Sequence, residues 1–178
     1  MAKLINIKAL TFNPFSENMY VLWDQTKEAI IIDPGCYQKE EEQKLADFIA
    51  KQGLKVVGLY NTHCHIDHVL GNQFVKETYQ VKLGIHQIEK QYLAAVPSYA
   101  PRYGFANYRT SEADFFIDEK DTIKFGNAEL TILFVPGHSA GHLAFYHAKD
   151  GFCINGDVLF RESIGRTDLP GGDHQTLL

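Results

Sequence analysis

Asn61-Thr62-His63-Cys64-His65-Ile66-Asp67-His68 is the stretch on which the reading of this chain turns. Its spacing is H-x-H-x-D-H. Imidazole nitrogen and carboxylate oxygen are the usual protein ligands of zinc, iron and manganese, and four such side chains crowd into this short run. Residues 54–60, just before it, are apolar and β-branched and predict a buried strand. Residues 69–79, just after it, place Leu70, Phe74, Val75 and Tyr79 at helical spacing. The cluster is therefore expected on a strand-to-helix turn. In extended chain, residues two apart point the same way, so His63 and His65 can grip one metal from one face. Asp67 and His68 follow the turn and can face a second metal beside the first. Cys64 alternates with the two histidines and is expected to point into the core as a small buried residue.

Composition narrows the setting. The chain has 178 residues, 45% hydrophobic and 22% charged, which suits one globular domain with a sizeable core. The formal net charge of −5 does not favour a nucleic-acid partner, which usually needs a basic face. No apolar run approaches a membrane span, and residues 1–6 lack the apolar region and cleavage site of a signal peptide. Cys36, Cys64 and Cys153 form no C-x-x-C pair; free thiols in a reducing cytoplasm are the simplest account.

Working outward, residues 4–10 alternate and predict a half-exposed strand with Ile5, Ile7 and Ala9 on one side. Residues 18–23 and 29–32 predict two more strands, the second ending at Asp33-Pro34-Gly35. Residues 38–52 predict a helix with Glu40, Glu41 and Glu42 in its first turn, a stripe of Leu45, Phe48 and Ile49, and Gly53 as its stop. Residues 81–85 predict a short strand ending at His86, read as structural. Residues 94–114 carry Pro97, Pro101 and several aromatics without periodicity. They read either as a loop covering a pocket or as a surface loop tied down by its own aromatics. Residues 121–125 and 128–135 predict a hairpin across Gly126-Asn127, and residues 142–149 and 152–155 another across a two-residue Asp150-Gly151 turn. His142, His147 and His174 read as structural.

Two further signals lie downstream: Pro136-Gly137-His138 and Gly156-Asp157 each close a strand with a ligand-type side chain. With H-x-H-x-D-H they make the chain resemble the metallo-β-lactamase superfamily, and within it the short glyoxalase II-like hydrolases. The resemblance runs from about Asn18 to Asp173. It implies an α/β fold, a four-layer αββα sandwich of two similar halves, filled by a single domain over residues 1–178. Carried over by position, it implies that His63, His65 and His138 hold a first metal, Asp67 and His68 a second, and that Asp157 bridges both. It places Asp33 beneath the metal loop, holding a ligand or its loop; from the residues alone Asp33 is equally a turn-former. Two Zn²⁺ per chain are expected, with Fe or Mn as alternatives.

The family also supplies a seventh ligand, a histidine in a Gly-His-Gly-like turn, which has no counterpart before Leu178. The expectation is that the natural protein is longer, or that the second metal has fewer protein ligands. The implied activity is cleavage of a thioester, S-lactoylglutathione or a related hydroxyacyl thioester, by a metal-bound hydroxide, with Asp67 as catalytic base. The partner is then a small molecule, with no nucleic acid and no membrane, in the cytoplasm. Tyr103, Arg102, Arg109 and Arg166 are the expected substrate-binding residues, the arginines pairing with glutathione carboxylates. A mononuclear Fe(II) persulfide dioxygenase using His63, His138 and Asp157 is the alternative on the same fold. An inert metal-binding domain and a β-lactamase rank behind it.

Overall fold

The computed structural model describes residues 3–178, so the first two residues of the N-terminal stretch lie outside it. Three strands open the chain: β1 (Asn6–Phe12), β2 (Glu17–Trp23) and β3 (Glu28–Ile32), paired antiparallel in that order. Helix α1 (Lys39–Gln52) crosses over to β4 (Lys55–Tyr60), which lies parallel to β3. Helices α2 (Ile66–Val69) and α3 (Asn72–Tyr79) lead to β5 (Leu83–Ile85), and α4 (Lys90–Tyr99) leads to β6 (Phe115–Phe116). These six strands form one sheet in sequence order, parallel from β3 onward. A second, antiparallel sheet has the order β10-β9-β8-β7, from β7 (Thr122–Phe125), β8 (Ala128–Phe134), β9 (Leu143–His147) and β10 (Phe152–Ile154). A small hairpin, β11 (Leu159–Phe160) with β12 (Ser163–Ile164), and a terminal turn of helix, α5 (His174–Leu177), complete it.

β3 shows why this stacks. Side chains alternate across a strand. Ala29 and Ile31 join the cluster under the helices, with Leu45, Ile49, Leu59, Val75, Leu83 and Val96. Ile30 and Ile32 join the cluster between the sheets, with Leu22, Phe125, Leu130, Ile132 and Phe145. All four are fully buried. A strand covered on both faces reads as an unbroken apolar run, as 29–32 does. The result is the expected sandwich of helices, sheet and sheet. Among the described residues no long helix covers the outer face of the second sheet, where the fourth layer belongs. No helix is long and apolar enough to cross a membrane.

Helix α1 starts as its acidic first turn predicts. The Glu41 carboxylate accepts the backbone N–H of Gln38 at 3.1 Å and of Asn13 at 2.8 Å, fastening the β1–β2 turn to the helix. Gly53 closes it in the left-handed region, φ 62°. Several expectations need correction. The helix expected over 69–79 begins later, as α3 at Asn72, because Gly71 N–H donates to Pro34 O at 2.7 Å and pulls the chain aside; a Cβ there would lie 2.4 Å from Cys36 Sγ. In the first strand the inward phase is Leu10 and Phe12, while Ile7 is exposed, since the outer half of this edge strand has no layer above it.

The stretch expected to be irregular over 94–114 is helical for its first ten residues. α4 runs through Pro97 to Tyr99, and a 3₁₀ turn, Ala100–Tyr103, follows. Burial of Leu93, Val96 and Ala100 against the sheet outweighs the one hydrogen bond that proline removes. Between β9 and β10 the connection is four residues rather than two, Phe152 pairing with His147. Asp150 is drawn out of a tight turn because its carboxylate accepts the N–H groups of Leu4 and Ile5. β6 and the β11–β12 hairpin carry no periodicity and were not expected.

Candidate metal centre

The site gathers at one rim of the sandwich, beyond the C-terminal ends of β3, β4, β8 and β10. Asp33 leaves β3 with φ 50°, a left-handed conformation that turns its carboxylate under the β4 loop. There Oδ1 accepts Thr62 N–H at 2.7 Å and Oδ2 accepts the Thr62 hydroxyl at 2.6 Å. Thr62 Oγ1 lies 3.0 Å from His63 Nδ1, and Asp33 Oδ2 lies 3.1 Å from His68 Nδ1. One carboxylate thus orients two imidazoles through their Nδ1 atoms and leaves both Nε2 atoms facing inward. His63 Nε2 is buried without a hydrogen-bonding partner, as is Nε2 of His65.

Nitrogens of His63, His65 and His138 lie within 4.8 Å of one another; so do donor atoms of His63, His68 and Asp157. Asp67 Oδ2 is 3.6 Å from His68 Nε2. Asp157 stands between the groups, with Oδ1 3.3 Å from His68 Nε2 and Oδ2 3.6 Å from His138 Nε2. All six residues expected to hold metal therefore meet at one place.

The protonation chemistry suits cations. His138 Nδ1–H donates to Arg166 O at 2.7 Å, so its Nε2 carries a lone pair, and that atom lies 2.8 Å from His65 Nδ1. A neutral His65 carrying its proton on Nδ1 donates to that lone pair, which leaves its own Nε2 as the free donor atom. Burial, reinforced by the His138 neighbour, pushes the His65 imidazolium down to about 3. Burial likewise drives His63 well below the usual histidine range and lowers His138. The three imidazoles are thus held neutral, which is the form that ligates a metal ion. At the other group, burial alone would strip His68, but Asp67 and Asp33 outweigh it and hold its imidazolium well above the ordinary range. Burial also disfavours charge on Asp157, yet the hydrogen bond to His68 keeps it down at about 2. The proton shared there is the one a metal ion would displace.

The histidines read as structural are accounted for. His142 stacks on His63 with ring centroids 4.5 Å apart, donates from Nδ1 to Leu143 O, and accepts Asp157 N–H on Nε2 at 3.2 Å. His142 supports the aspartate's loop. His86 accepts Ile88 N–H, and His147 accepts Asp150 N–H. His174 is exposed at the start of α5. Cys64 is buried, as expected.

The substrate residues divide. Arg166 borders the centre through its carbonyl on His138, and its guanidinium is gripped by Asp168 through two 2.7 Å hydrogen bonds. Tyr103 and Arg102 lie exposed on the 3₁₀ turn, where Tyr103 packs with Phe15 and Tyr99. Arg109 pairs instead with Glu77 on α3.

Glu17 was missed. Its side chain is wholly buried, both oxygens lack a hydrogen-bonding partner, and Oε1 lies 3.8 Å from His68 Nδ1. Its signal was its phase, since it alternates inward with Met19 and Val21 on β2. Burial, with Asp33 and Asp67 nearby, pushes its carboxyl well above the usual 4.5. An acid raised on folding contributes no penalty while both states are protonated, and costs stability as pH rises above the unfolded value. Glu17→Gln is therefore expected to leave stability unchanged near about pH 4 and to raise that of metal-free protein by roughly 1–3 kcal/mol at about pH 8. Urea denaturation at the two pH values checks this; equal midpoints for both proteins at the higher pH would refute it.

A two-sheet sandwich with histidines and aspartates gathered at one rim defines a class of metal-dependent enzymes. The chain belongs to the metallo-beta-lactamase superfamily, whose family model matches residues 12–178. It is 34% identical over 176 residues to hydroxyacylglutathione hydrolase GloC of Haemophilus influenzae, covering 98% of this chain and 81% of that one. It is 30% identical over 159 residues to the mitochondrial persulfide dioxygenase ETHE1 of Homo sapiens, covering 89% of this chain and 54% of that one. Among solved structures, the B3 metallo-beta-lactamase BLEG-1 superposes with a TM-score of 0.86 at 31% identity, covering 97% of this chain and 81% of that one. TTHA1623 in a di-iron-bound form superposes with a TM-score of 0.82 at 30% identity, covering 96% and 81%.

Proposed function

We propose that this metallohydrolase cleaves a thioester, S-lactoylglutathione or a related hydroxyacyl thioester, at a two-metal centre. The observation that carries the reading is Asp157 standing between two donor groups, with one oxygen 3.3 Å from His68 Nε2 and the other 3.6 Å from His138 Nε2. His63, His65 and His138 would hold one ion, and Asp67 and His68 the other. Zinc is the proposed metal; the di-iron form of TTHA1623 makes iron the competing one. Bound there, such ions supply an acidified water and polarise the substrate carbonyl.

The chain's own residues do the rest. Asp67 is partly buried, and desolvation raises its carboxyl although His68 opposes this, so it is suited to orient a water and accept its proton. Its backbone carbonyl is fixed by Asn13 Nδ2 at 3.1 Å. A thiolate leaves without a general acid because its conjugate thiol has a pKa near about 8.5. Arg166, steadied by Asp168, offers a cation at the rim to a substrate carboxylate.

The test is a side-by-side assay of S-lactoylglutathione hydrolysis and of oxygen uptake with glutathione persulfide, with metal content measured on the same protein. Hydrolysis with two ions per chain is the expected result. Oxygen uptake with one iron would instead support the dioxygenase reading, which the likeness to ETHE1 and the His63, His138 and Asp157 set favour. Within the hydrolase reading, Arg166→Gln should raise KM roughly fivefold with kcat nearly unchanged, since an exposed pair contributes up to about 1 kcal/mol. Arg109→Gln should change neither, because Arg109 serves Glu77. A KM response at Arg109 and none at Arg166 would reverse this assignment.

A further inference from the structure

One buried carboxylate remains outside these roles. Glu89 ends a 3₁₀ turn, Gln87–Glu89, that follows β5, and it is completely buried. Its Oε2 accepts the backbone N–H of Cys64 at 2.8 Å. Its Oε1 accepts the Ser139 hydroxyl at 2.5 Å and the backbone N–H of Gly141 at 2.8 Å. Cys64 sits between His63 and His65, and Ser139 follows His138. The two oxygens of one side chain therefore tie together the two turns that carry the three histidines. These turns come from different sheets, one after β4 and one after β8. One backbone hydrogen bond, from Leu143 N–H to Thr62 O at 2.8 Å, also joins the two sheets here, but it grips neither Cys64 nor the Ser139–Gly141 turn.

Gly141 is shaped to this contact. A Cβ there would lie 2.9 Å from Glu89 Cγ and Oε1 and 3.0 Å from His86 Nδ1. Only a glycine lets the chain come close enough for its N–H to reach the carboxylate.

We propose that Glu89 is the positioning residue of the first metal site, setting the distance between the His63–His65 turn and the His138 turn. The proposal rests on the reading that these three histidines hold an ion. Glu89 touches no ligand atom; it acts through the backbone on either side of the ligands. Asp67 and His68 are supported separately, through Asn13 and Asp33. Loss of Glu89 therefore affects one site and spares the other.

The test is cobalt(II) binding to the full 178-residue chain, followed by visible absorption and by competition with a chromophoric chelator. Wild type is compared with Glu89→Ala, Glu89→Gln and Ser139→Ala, and the melting temperature of each metal-free protein is recorded. Positioning partners of this kind typically contribute about 10–100-fold in metal affinity. Glu89→Ala should weaken one cobalt by that factor, alter its absorption band, and leave the other ion's affinity within about twofold. Glu89→Gln keeps one acceptor oxygen and should recover part of the loss. Ser139→Ala, which removes a single hydrogen bond, should weaken the same ion by a few-fold and decides the matter should Glu89→Ala not fold. A purely structural role would lower the metal-free melting temperature and leave both affinities and the spectrum of folded protein unchanged; that result overturns the proposal. Wild type that takes up no cobalt overturns the underlying metal reading as well, and so is distinct from a failure of Glu89 alone.

Discussion

Thioester hydrolysis is expected to fall by on the order of 10³-fold in His63→Ala, and by about 10²–10⁴-fold in Asp67→Ala, with the fold retained in both. His63 borders both donor groups, so its loss costs each a neighbour. The surrounding turn should survive, because Asp33 holds it through Thr62 N–H and Oγ1 rather than through the imidazole alone. Asp67 is the one carboxylate at the centre whose burial raises its affinity for a proton while it remains within reach of His68 Nε2. Removing it deletes the proposed proton acceptor and a donor to the second ion together. Steady-state turnover after metal repletion, with circular dichroism as the fold control, measures both effects. Near-wild-type turnover in either variant removes that residue from the mechanism.

The second large effect is in stoichiometry. Asp157→Asn is nearly isosteric, and the loop bearing it stays anchored because its backbone N–H donates to His142 Nε2. The change is thus confined to the side chain. Asp157 directs one oxygen toward His68 and the other toward His138. An amide has only one oxygen, and its NH₂ end repels a cation. The expected content after dialysis against chelator is at most one ion per chain, against two for wild type, and the residual hydrolysis should fall with it. Metal analysis of the dialysed proteins reads this directly. Retention of two tightly held ions would remove Asp157 as the shared ligand.

Much of the site was legible in order along the chain, for a local reason. The donors of H-x-H-x-D-H lie within six residues, and alternation along a strand end decides which of them face together. Pro136-Gly137-His138 and Gly156-Asp157 announce themselves as strand ends by their turn residues. The hairpin at Gly126-Asn127 follows the same logic, with Phe125 pairing with Ala128. Helix α1 carried its own start and stop in Glu41 and Gly53.

What escaped depended on distant partners. Glu89 reaches Cys64 across 25 residues and Gly141 across 52, and nothing in its own neighbourhood marks it. Arg109 looked like an anion-binding residue among aromatics until Glu77, 32 residues away, took it up. Pro97 argued for a break, but burial of Leu93 and Val96 against the sheet kept α4 intact. Ligand type, turn chemistry and side-chain period are properties of adjacent residues, and by themselves they pointed to a metal-binding run at His63, His65, Asp67 and His68 and to the order of most elements, whereas His138 and Asp157 joined the set only through the family resemblance. Which turns stand side by side, and which carboxylate is left to hold them there, depends on contacts between segments far apart in the chain, and only the packing of the two sheets decided that.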